Sequence, residues 1–353
     1  MFSFPAQARY HLPCCTYLRA SIIDPISQAV AGSALAQSIS TRATLRAAAC
    51  VGALAALLPD VDVLIRSDDD PLLTLDFHRH FTHALIFSPV GALIATLLAY
   101  FFVRRRLSFI QCYLAALLGY ISAPLIDAAT SYGTYLLWPF SDTRIAWNII
   151  SIIDPLFTLP LLVLCGLAFS RRRVRLARIA VAFGIAYLGF GFIQHQRAEQ
   201  AALALLDSRG QQTERMTVRP SFGNLLVWRM VYEQQGQFSV AAVNIGFFQK
   251  PIWYPGGEQT AVHPDDFASV PPDSTLGRDL RRFASFSDGY LIQHPDQPGV
   301  LGDIRYAMLP DSDLPLWGIR IDSNRPDQHA EFVTFREAGD EVWSRFLRLL
   351  RRE

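Results

Sequence analysis

The N-terminal half of the chain contains apolar segments long enough to cross a lipid bilayer. Residues 84–103 hold no charged side chain over twenty positions. A helix rises about 1.5 Å per residue, so this segment would span about 30 Å, the thickness of a hydrocarbon core. Residues 109–126 and 174–193 are similar, and residues 149–169 are apolar except for Asp154. These four segments predict membrane-spanning helices.

Two weaker segments precede the four long ones. Residues 22–39 and 45–58 are apolar but give a weaker signal, which is also typical of buried or interfacial helices that do not span the membrane. With them, the sequence predicts a multi-pass α-helical membrane protein with four to six transmembrane helices.

Arginine clusters indicate how these helices are oriented. Arg104, Arg105 and Arg106 separate the segments 84–103 and 109–126, and four arginines within residues 171–175 separate the last two segments. The positive-inside rule places both turns in the cytoplasm. The opposite helix ends, together with everything after about residue 194, then share the outer face of the membrane.

The C-terminal half is polar and rich in turn residues. Short alternating stretches, separated by turns such as Pro255-Gly256-Gly257, predict a small antiparallel sheet with helices at 275–286 and 341–352. The formal net charge of +1 at pH 7 gives no reason to expect a nucleic-acid partner. The predicted strands are residues 225–233, 238–248, 289–294, 304–309, 316–322 and 330–335.

The chain is therefore expected to have three parts. Residues 1–20 form an N-terminal extension, residues 21–195 form a helical membrane domain, and residues 196–353 form a soluble, extracytoplasmic α+β domain.

Polar residues that are unusual beside membrane segments gather on the predicted outer face. Ionisable groups at membrane depth are costly and face a cavity or a partner. Carboxylates and imidazoles that converge from several helix ends are the ligand set of a site for a divalent metal ion, with zinc and manganese favoured. The predicted ligands are Asp60, Asp62, His78, His80, His83 and Asp127.

Sequence spacing constrains how these ligands can act. His80 and His83 are three residues apart and could share a helix face, whereas His78 and His83 are five apart and could not. Asp60 and Asp62 suit an extended turn in which one carboxylate ligates and the other orients. Taken singly, each aspartate has the alternative role of a helix N-cap, and each loop histidine that of a solvated residue.

Two arginines and a tyrosine on the same face are predicted to bind a substrate. Arg79 and Arg144 carry guanidinium groups suited to phosphate or carboxylate, and Tyr132 is placed to line the pocket. The alternative for the arginines is a salt bridge with Asp76 or Asp142.

The order of motifs in residues 24–160 resembles the bacterial membrane-bound, metal-dependent hydrolase family. That family is also known as DUF457, or as LexA-binding inner-membrane hydrolases of the YdjM type, and its longer members carry a soluble C-terminal domain. The resemblance implies metal ligands at Asp60, Asp62, His78, His83 and Asp127. The motifs are DPISQAVAG (24–32), LPDVDVL (58–64), HRHFTH (78–83), PLIDAATSYGT (124–134), WPFSDTRIAWN (138–148) and IIDPLFTLP (152–160).

Two positions depart from the family pattern. His80 stands where glycine is usual, and Ala123 stands where relatives often have histidine, four residues before Asp127. The missing ligand is compensated by His80 or Asp154, or else the site holds fewer metal ions or has reduced activity. Gln28 stands where some relatives have histidine, and the glutamine form belongs to the longer members.

Two function classes remain open. In the first, the protein is a hydrolase in which Asp60 or Asp62 activates water against an ester or phosphoester, such as that of a lipid or lipid-linked molecule in the bilayer. In the second, it is a transport or scaffold protein with a structural metal or a polar path, and its soluble domain recruits an unidentified protein. LexA, a cytoplasmic repressor, is not expected as that partner because the soluble domain is predicted outside.

Overall fold

A computed structural model describes residues 23–67, 69–336 and 339–353 of the chain. It shows a bundle of apolar helices followed by a domain of two antiparallel sheets and helices. The predicted fold class, a multi-pass helical membrane protein with a C-terminal α+β domain, is confirmed. The predicted extension at 1–20 lies outside the described residues.

The helices of the N-terminal half follow the apolar segments of the sequence. They are α1 (Ile23–Ser38), α2 (Leu45–Leu57), the short α3 (Leu73–Phe77), α4 (Ser88–Val103), α5 (Phe109–Ala129), α6 (Pro155–Arg171) and α7 (Val174–Ser208). Four stretches are long and apolar enough to cross a membrane, namely Leu45–Leu64, Leu85–Val103, Phe109–Ala129 and Val174–Ser208. The weaker segment 45–58 thus gains length, because the 3₁₀ turn Pro59–Leu64 continues α2.

The predicted segment 149–169 is shorter as a helix than expected. The Asp154 carboxylate accepts hydrogen bonds from the amides of Leu156 and Phe157, and Pro155 occupies the first helical position. An N-cap followed by proline starts a helix and prevents its extension backward, because the capping residue has a non-helical backbone. The helix α6 therefore has 17 residues and begins only at Pro155.

Glycines allow α1, α2 and α5 to pack with their backbones close together. A Cβ on Gly52 would lie 2.4 Å from the Gly32 carbonyl oxygen, and a Cβ on Gly119 would lie 2.3 Å from the Gly52 carbonyl oxygen. Small residues at such crossings are typical of membrane helices, where close packing replaces the hydrophobic effect as the force that holds helices together. The start of α1 and the ends of α2 and α5 consequently meet at one end of the bundle.

The soluble domain consists of two four-stranded antiparallel sheets with sequential strand order. The first contains β1 (Arg215–Pro220), β2 (Val227–Gln234), β3 (Gln237–Asn244) and β4 (Ile252–Thr260). The second contains β5 (Leu291–Gln293), β6 (Val300–Asp303), β7 (Trp317–Arg320) and β8 (Glu331–Thr334), with α8 (Thr275–Phe286) packed against it and α9 (Asp340–Arg351) closing the chain.

The soluble domain differs from the sequence prediction, which gave one sheet instead of two and no strand at β1, β4 or β6. The predicted turn Pro255-Gly256-Gly257 lies inside the edge strand β4, where a proline without an N–H is tolerated and the register shifts opposite Ser239 and Ala241. The predicted strand 304–309 is irregular, because the Asp303 carboxylate accepts a hydrogen bond from the Arg305 amide and turns the chain at the end of β6.

The helix α7 joins the two halves without a break. It runs on to Ser208, past the boundary predicted at residue 195, and its last turns pack against the first sheet through Ala198, Ala202 and Leu206.

The soluble domain rests on the bundle end where α1 starts and α2 and α5 finish. The Ser131 carbonyl oxygen accepts hydrogen bonds from Arg219 and from the Tyr306 hydroxyl. On the other side, Arg282 of α8 donates to the carboxylates of Asp70 and Asp76. We call the second contact the docking cluster, formed by Asp70, Asp76, Asp279, Arg282 and His329.

Candidate metal centre

The LPDVD turn after α2 places one carboxylate in the interior of the protein. Asp62 is 2% exposed, and both of its oxygens are engaged. Oδ1 lies 2.9 Å from Nδ1 of His78, while Oδ2 accepts hydrogen bonds from the Arg79 amide at 2.8 Å and the Thr82 hydroxyl at 2.7 Å. Asp62 therefore holds the HRHFTH segment in place.

A second group of ligands surrounds the fully buried imidazole of His83. Its Nε2 atom lies 3.0 Å from Oδ2 of Asp127 and 3.2 Å from Oδ1 of Asp60. Although these distances are short, the contacts of His83 Nε2 and Asp60 Oδ1 do not have hydrogen-bond geometry among the described residues. The five residues Asp60, Asp62, His78, His83 and Asp127 form what we call the carboxylate–histidine cluster.

The spacing of these three atoms fits a bound metal ion. Ligands about 2.0–2.2 Å from an ion and about 90–110° apart lie about 3–3.5 Å from one another. Two trios of the described residues could hold such an ion, Asp60 with Asp62 and His78, and Asp60 with His83 and Asp127. Asp60 belongs to both trios, so the geometry accommodates one ion or two that share this carboxylate.

The charges of the cluster also favour a cation. Three carboxylates meet there, and the recorded ion pair with an arginine is that of Asp127 Oδ1 with Nη2 of Arg79 at 3.3 Å. Gln28 donates from Nε2 to both oxygens of Asp127, at 3.0 and 3.1 Å, which satisfies the carboxylate without neutralising it. Buried carboxylates need compensating positive charge, and protonated histidines or a divalent ion can supply it.

The pKa of His83 reflects the same imbalance. Burial alone would lower this pKa, but contact with the carboxylates of Asp127, Asp60 and Asp62 raises it well above its ordinary value. A proton and a divalent ion would therefore compete for the imidazole of His83, since a histidine ligand must be deprotonated.

The cluster is reached from one side. The side chains of Asp62, His83 and Asp127 are fully buried, whereas those of Asp60 and His78 are 17% and 25% exposed. A molecule that approaches the cluster therefore meets Asp60 and His78 first.

Arg79, Arg144 and Tyr132, the predicted substrate-binding residues, lie together beside the cluster. The guanidinium carbons lie 5.0 Å (Arg79) and 4.6 Å (Arg144) from the centre of the Tyr132 ring. Arg144 donates to the His78 carbonyl oxygen, and its Nε atom is buried without a hydrogen-bond partner. Of the two salt-bridge partners considered from the sequence, Asp76 pairs with Arg282 instead.

The structure places His80 apart from the cluster. Its ring lies 4.8 Å from the Tyr135 ring and 5.5 Å from the Trp138 ring, and burial lowers its pKa. Neither trio of the cluster includes it. Asp154 caps α6 and accepts a hydrogen bond from the Tyr187 hydroxyl, so these two side chains do not take the place left by Ala123.

Three residues around the cluster were not among the predicted site residues. Gln28 supports Asp127, Thr82 supports Asp62, and the Tyr120 hydroxyl donates to the Thr82 carbonyl oxygen at 2.8 Å. A lone amide or hydroxyl on an otherwise apolar helix is the signal that could have found Gln28 and Tyr120, since polar groups at membrane depth usually have a partner.

Comparison with known proteins places the helical half in a membrane family. A family model described as "YdjM inner membrane protein" matches residues 23–198. Inner membrane protein YbcI of Escherichia coli (strain K12) is 36% identical over 107 residues, which cover 29% of this chain and 60% of the relative. The chain thus spans about 60% of the length of the curated relative that it matches. No solved structure shows a significant match to the chain.

Proposed function

Through residues 23–198 the chain belongs to the YdjM inner membrane protein family, and on that premise we propose that it is a membrane-bound, metal-dependent hydrolase of an ester or phosphoester. The observation that carries the proposal is the approach of His83 Nε2 to carboxylate oxygens of Asp60 and Asp127 at 3.2 and 3.0 Å, with no hydrogen bond formed by the imidazole nitrogen. A divalent ion between these three atoms would supply the positive charge that the two carboxylates need.

The ligands in the proposal are Asp60, His83 and Asp127, with Asp62 and His78 beside them. Mixed imidazole and carboxylate donors favour zinc or manganese. A divalent ion there would lower the pKa of water and polarise a phosphoryl or carbonyl oxygen.

The two aspartates of the LPDVD turn have different roles in the proposal. Both oxygens of Asp62 are taken by the HRHFTH segment, so Asp62 orients His78 and Thr82. The buried Oδ1 of Asp60 is the oxygen that would hold the ion, and the side chain is partly exposed, so its other oxygen would accept the proton of the attacking water.

Substrate recognition is assigned to the residues beside the cluster. Arg144 has an unpartnered Nε atom and stacks on Tyr132, which favours an anionic group such as a phosphate. Arg79 neutralises Asp127 from the same side. Because the cluster lies at the ends of membrane helices, a lipid or lipid-linked ester is the substrate class that reaches it most directly.

The location of the site is also part of the proposal. Arg104–Arg106 follow the end of α4, and the arginines at 171–175 lie between α6 and α7, at the helix ends remote from the cluster. By the positive-inside rule the cluster and the soluble domain then face the extracytoplasmic side.

Elemental analysis of the purified full-length protein tests the proposal. We expect stoichiometric zinc or manganese in the wild type, its loss in His83→Ala and Asp127→Ala, and its retention in the control Asp142→Ala, which changes an exposed carboxylate. Hydrolysis of lipid phosphoesters should follow the metal content. A wild type that stays free of metal after attempted reloading would remove the basis for a hydrolase.

A further inference from the structure

A cavity of about 380 Å³ lies between the membrane domain and the soluble domain. Ser131 and Ser151–Ile153 line it from the membrane domain, and the two sheets line it from the other side. Its volume falls in the range of about 300–1,000 Å³ that is usual for small-molecule sites. Tyr132, the residue after Ser131, lies beside the carboxylate–histidine cluster, so the cavity and the cluster are neighbours. None of the five cluster residues lines the cavity.

Two buried arginines on adjacent strands line this cavity. Arg219 of β1 and Arg229 of β2 stand directly opposite each other in the sheet register. They are only 7% and 4% exposed. Like charges directly opposite on neighbouring strands destabilise a sheet, and burial increases the cost of each charge.

Neither arginine forms an ion pair with a carboxylate among the described residues. Arg219 donates to the Thr217 hydroxyl and the Ser131 carbonyl oxygen. Arg229 donates to backbone carbonyl oxygens, including those of Ile304 and Pro310, and its Nε atom is buried without a hydrogen-bond partner. Carbonyl oxygens satisfy N–H groups but carry no full charge, so the positive charge of the pair is not neutralised.

The nearest carboxylates are engaged by other groups. Asp303 holds Arg305, which also lines the cavity, and Asp311 holds Arg345. Asp313 accepts a hydrogen bond from Gln259, which does not neutralise it, but Asp313 is not among the residues that line the cavity. The cavity wall therefore carries an excess of positive charge.

The remaining wall of the cavity is apolar and aromatic. Phe222 and Trp343 lie edge to face with ring centres 5.8 Å apart, and they are 43% and 44% exposed. Phe222 precedes Gly223, whose amide donates to the Ile153 carbonyl oxygen two residues before α6 begins. Exposed aromatic rings beside the start of a membrane helix are typical of the membrane–water interface. Further lining residues are Met308, Leu316, Trp317 and Phe346.

We propose that this cavity binds a phosphate-bearing amphiphile, with the phosphate between Arg219 and Arg229 and the hydrocarbon chain along the aromatic wall. Guanidinium forks match phosphate oxygens, and a bound anion removes the repulsion between the two opposed arginines. The inference does not depend on a metal ion at the carboxylate–histidine cluster, so it stands or fails separately from the proposed hydrolase.

The test is a calorimetric titration of the full-length protein in a neutral detergent. The probes are dodecyl phosphate, dodecanol and inorganic phosphate. We expect dodecyl phosphate to bind more tightly than either of the other two by at least about tenfold, because it alone meets both walls. Arg219→Gln should weaken its binding by about tenfold to a hundredfold, as for loss of a charged hydrogen bond. The exposed Arg325→Gln should leave the affinity unchanged.

The outcomes separate the alternatives. Equal affinity for dodecyl phosphate and inorganic phosphate would overturn the amphiphile in favour of a plain anion site, and unchanged binding in Arg219→Gln would overturn the assignment altogether. If Arg219→Gln fails to fold, Trp343→Ala decides, since an unchanged affinity there contradicts the aromatic wall. The titration is repeated in His83→Ala and with chelator, where the affinity should persist. Its loss would place the ligand at the cluster instead.

Discussion

Two groups of aspartate and histidine side chains in this protein have nearly the same composition and different surroundings. The carboxylate–histidine cluster lies at the end of the helix bundle, and the docking cluster joins the bundle to the soluble domain. Each contains three residues whose ligand atoms lie within 4.8 Å of one another. In the docking cluster, however, Arg282 occupies the centre and donates to Asp70, Asp76 and Asp279.

Burial distinguishes the two groups further. In the docking cluster, the side chains of Asp76 and Asp70 are 43% and 22% exposed. Water therefore screens the negative charge that Arg282 does not neutralise. The side chains of Asp62, His83 and Asp127 are fully buried, and Arg79 approaches Asp127 from one side. Similar residues therefore have different roles in the two clusters. In the docking cluster an arginine lies at the centre and forms ion pairs. In the candidate metal centre an imidazole nitrogen without a hydrogen bond lies there instead.

The largest expected effect comes from a change in the cluster itself. Asp127→Asn should lower the affinity for metal by at least about a hundredfold, because a neutral amide replaces a charged ligand that Gln28 and Arg79 hold in position. Metal content after dialysis measures this. Asp70→Asn is the matched control in the docking cluster, and if it lost the metal as completely, the distinction between the two groups would be wrong.

In the docking cluster, Arg282→Ala should lower the stability of the protein and leave its metal binding unchanged. Removal of the guanidinium leaves the fully buried Asp279 carboxylate with the His329 imidazole as its charged partner and without its arginine, which should lower the free energy of unfolding by about 3 kcal/mol while the metal content stays unchanged. Thermal unfolding followed by tryptophan fluorescence measures the change. Arg278→Ala on the same helix is the control, because Arg278 is exposed and donates to the Asp273 carbonyl oxygen and the Thr275 hydroxyl.

Added zinc sharpens the comparison in the same variant. Without Arg282, the trio Asp70, Asp279 and His329 has the residue types of a metal site. We expect zinc to recover part of the lost stability in Arg282→Ala. If zinc did not recover stability, proximity of carboxylates and imidazole would be insufficient for metal binding. The burial of the carboxylate–histidine cluster would then be what favours an ion there.

A smaller effect is expected from Gln28→Leu. Gln28 touches Asp127 and not the proposed metal position, so its loss should lower metal affinity by about tenfold to a hundredfold, as for other residues that orient a ligand. Competition with a chromophoric chelator measures this. Gln37→Leu on the same helix, whose side-chain amide donates to the Ser33 hydroxyl, should leave the affinity unchanged.

Much of the architecture could be predicted because it depends on local properties of the sequence. Apolar segments of bilayer length predicted the helices, and the Asp154-Pro155 pair carried the signal that α6 starts late. The span ending at Leu64 was harder to predict, since a 3₁₀ turn continues a short helix there. The edge strand β4 was not predicted because it contains a proline. A strand tolerates proline at the edge of a sheet, and the sequence does not show which strand lies at the edge.

The convergence of the cluster residues depends on backbone detail that spacing alone did not reveal. His78 and His83 are five residues apart and cannot share a helix face, yet they join one cluster because the chain turns between the end of α3 and the 3₁₀ turn Phe81–His83. Arg79 has φ of 62°, and its amide donates to Asp62, which turns the segment back on itself. His80 points the other way, into aromatic rings. The docking cluster could not be predicted from the sequence, since Asp70 and Arg282 are 212 residues apart.

The smallest expected effect concerns the pH dependence of the stability that the docking cluster provides. Burial alone would raise the pKa of Asp70, but the hydrogen bond and charge of Arg282 outweigh it and hold this pKa below its ordinary value. A lowered pKa in the folded state means that Asp70 adds stability at pH values above its ordinary pKa, and that this stability is lost as the pH falls through the lowered pKa. Because the pair is partly exposed, the contribution is about 1 kcal/mol or less.

The difference in unfolding free energy between the wild type and Asp70→Asn isolates this contribution. The difference should be constant from about pH 7 to about pH 5 and shrink towards about pH 3, where the wild-type carboxyl takes up its proton. Metal binding at the carboxylate–histidine cluster should behave otherwise and weaken at much higher pH, because the pKa of His83 is raised well above its ordinary value and a histidine ligand must be deprotonated. If both properties changed over the same pH range, the two clusters would share a titrating group, and the contrast between a joint and a metal centre would not hold.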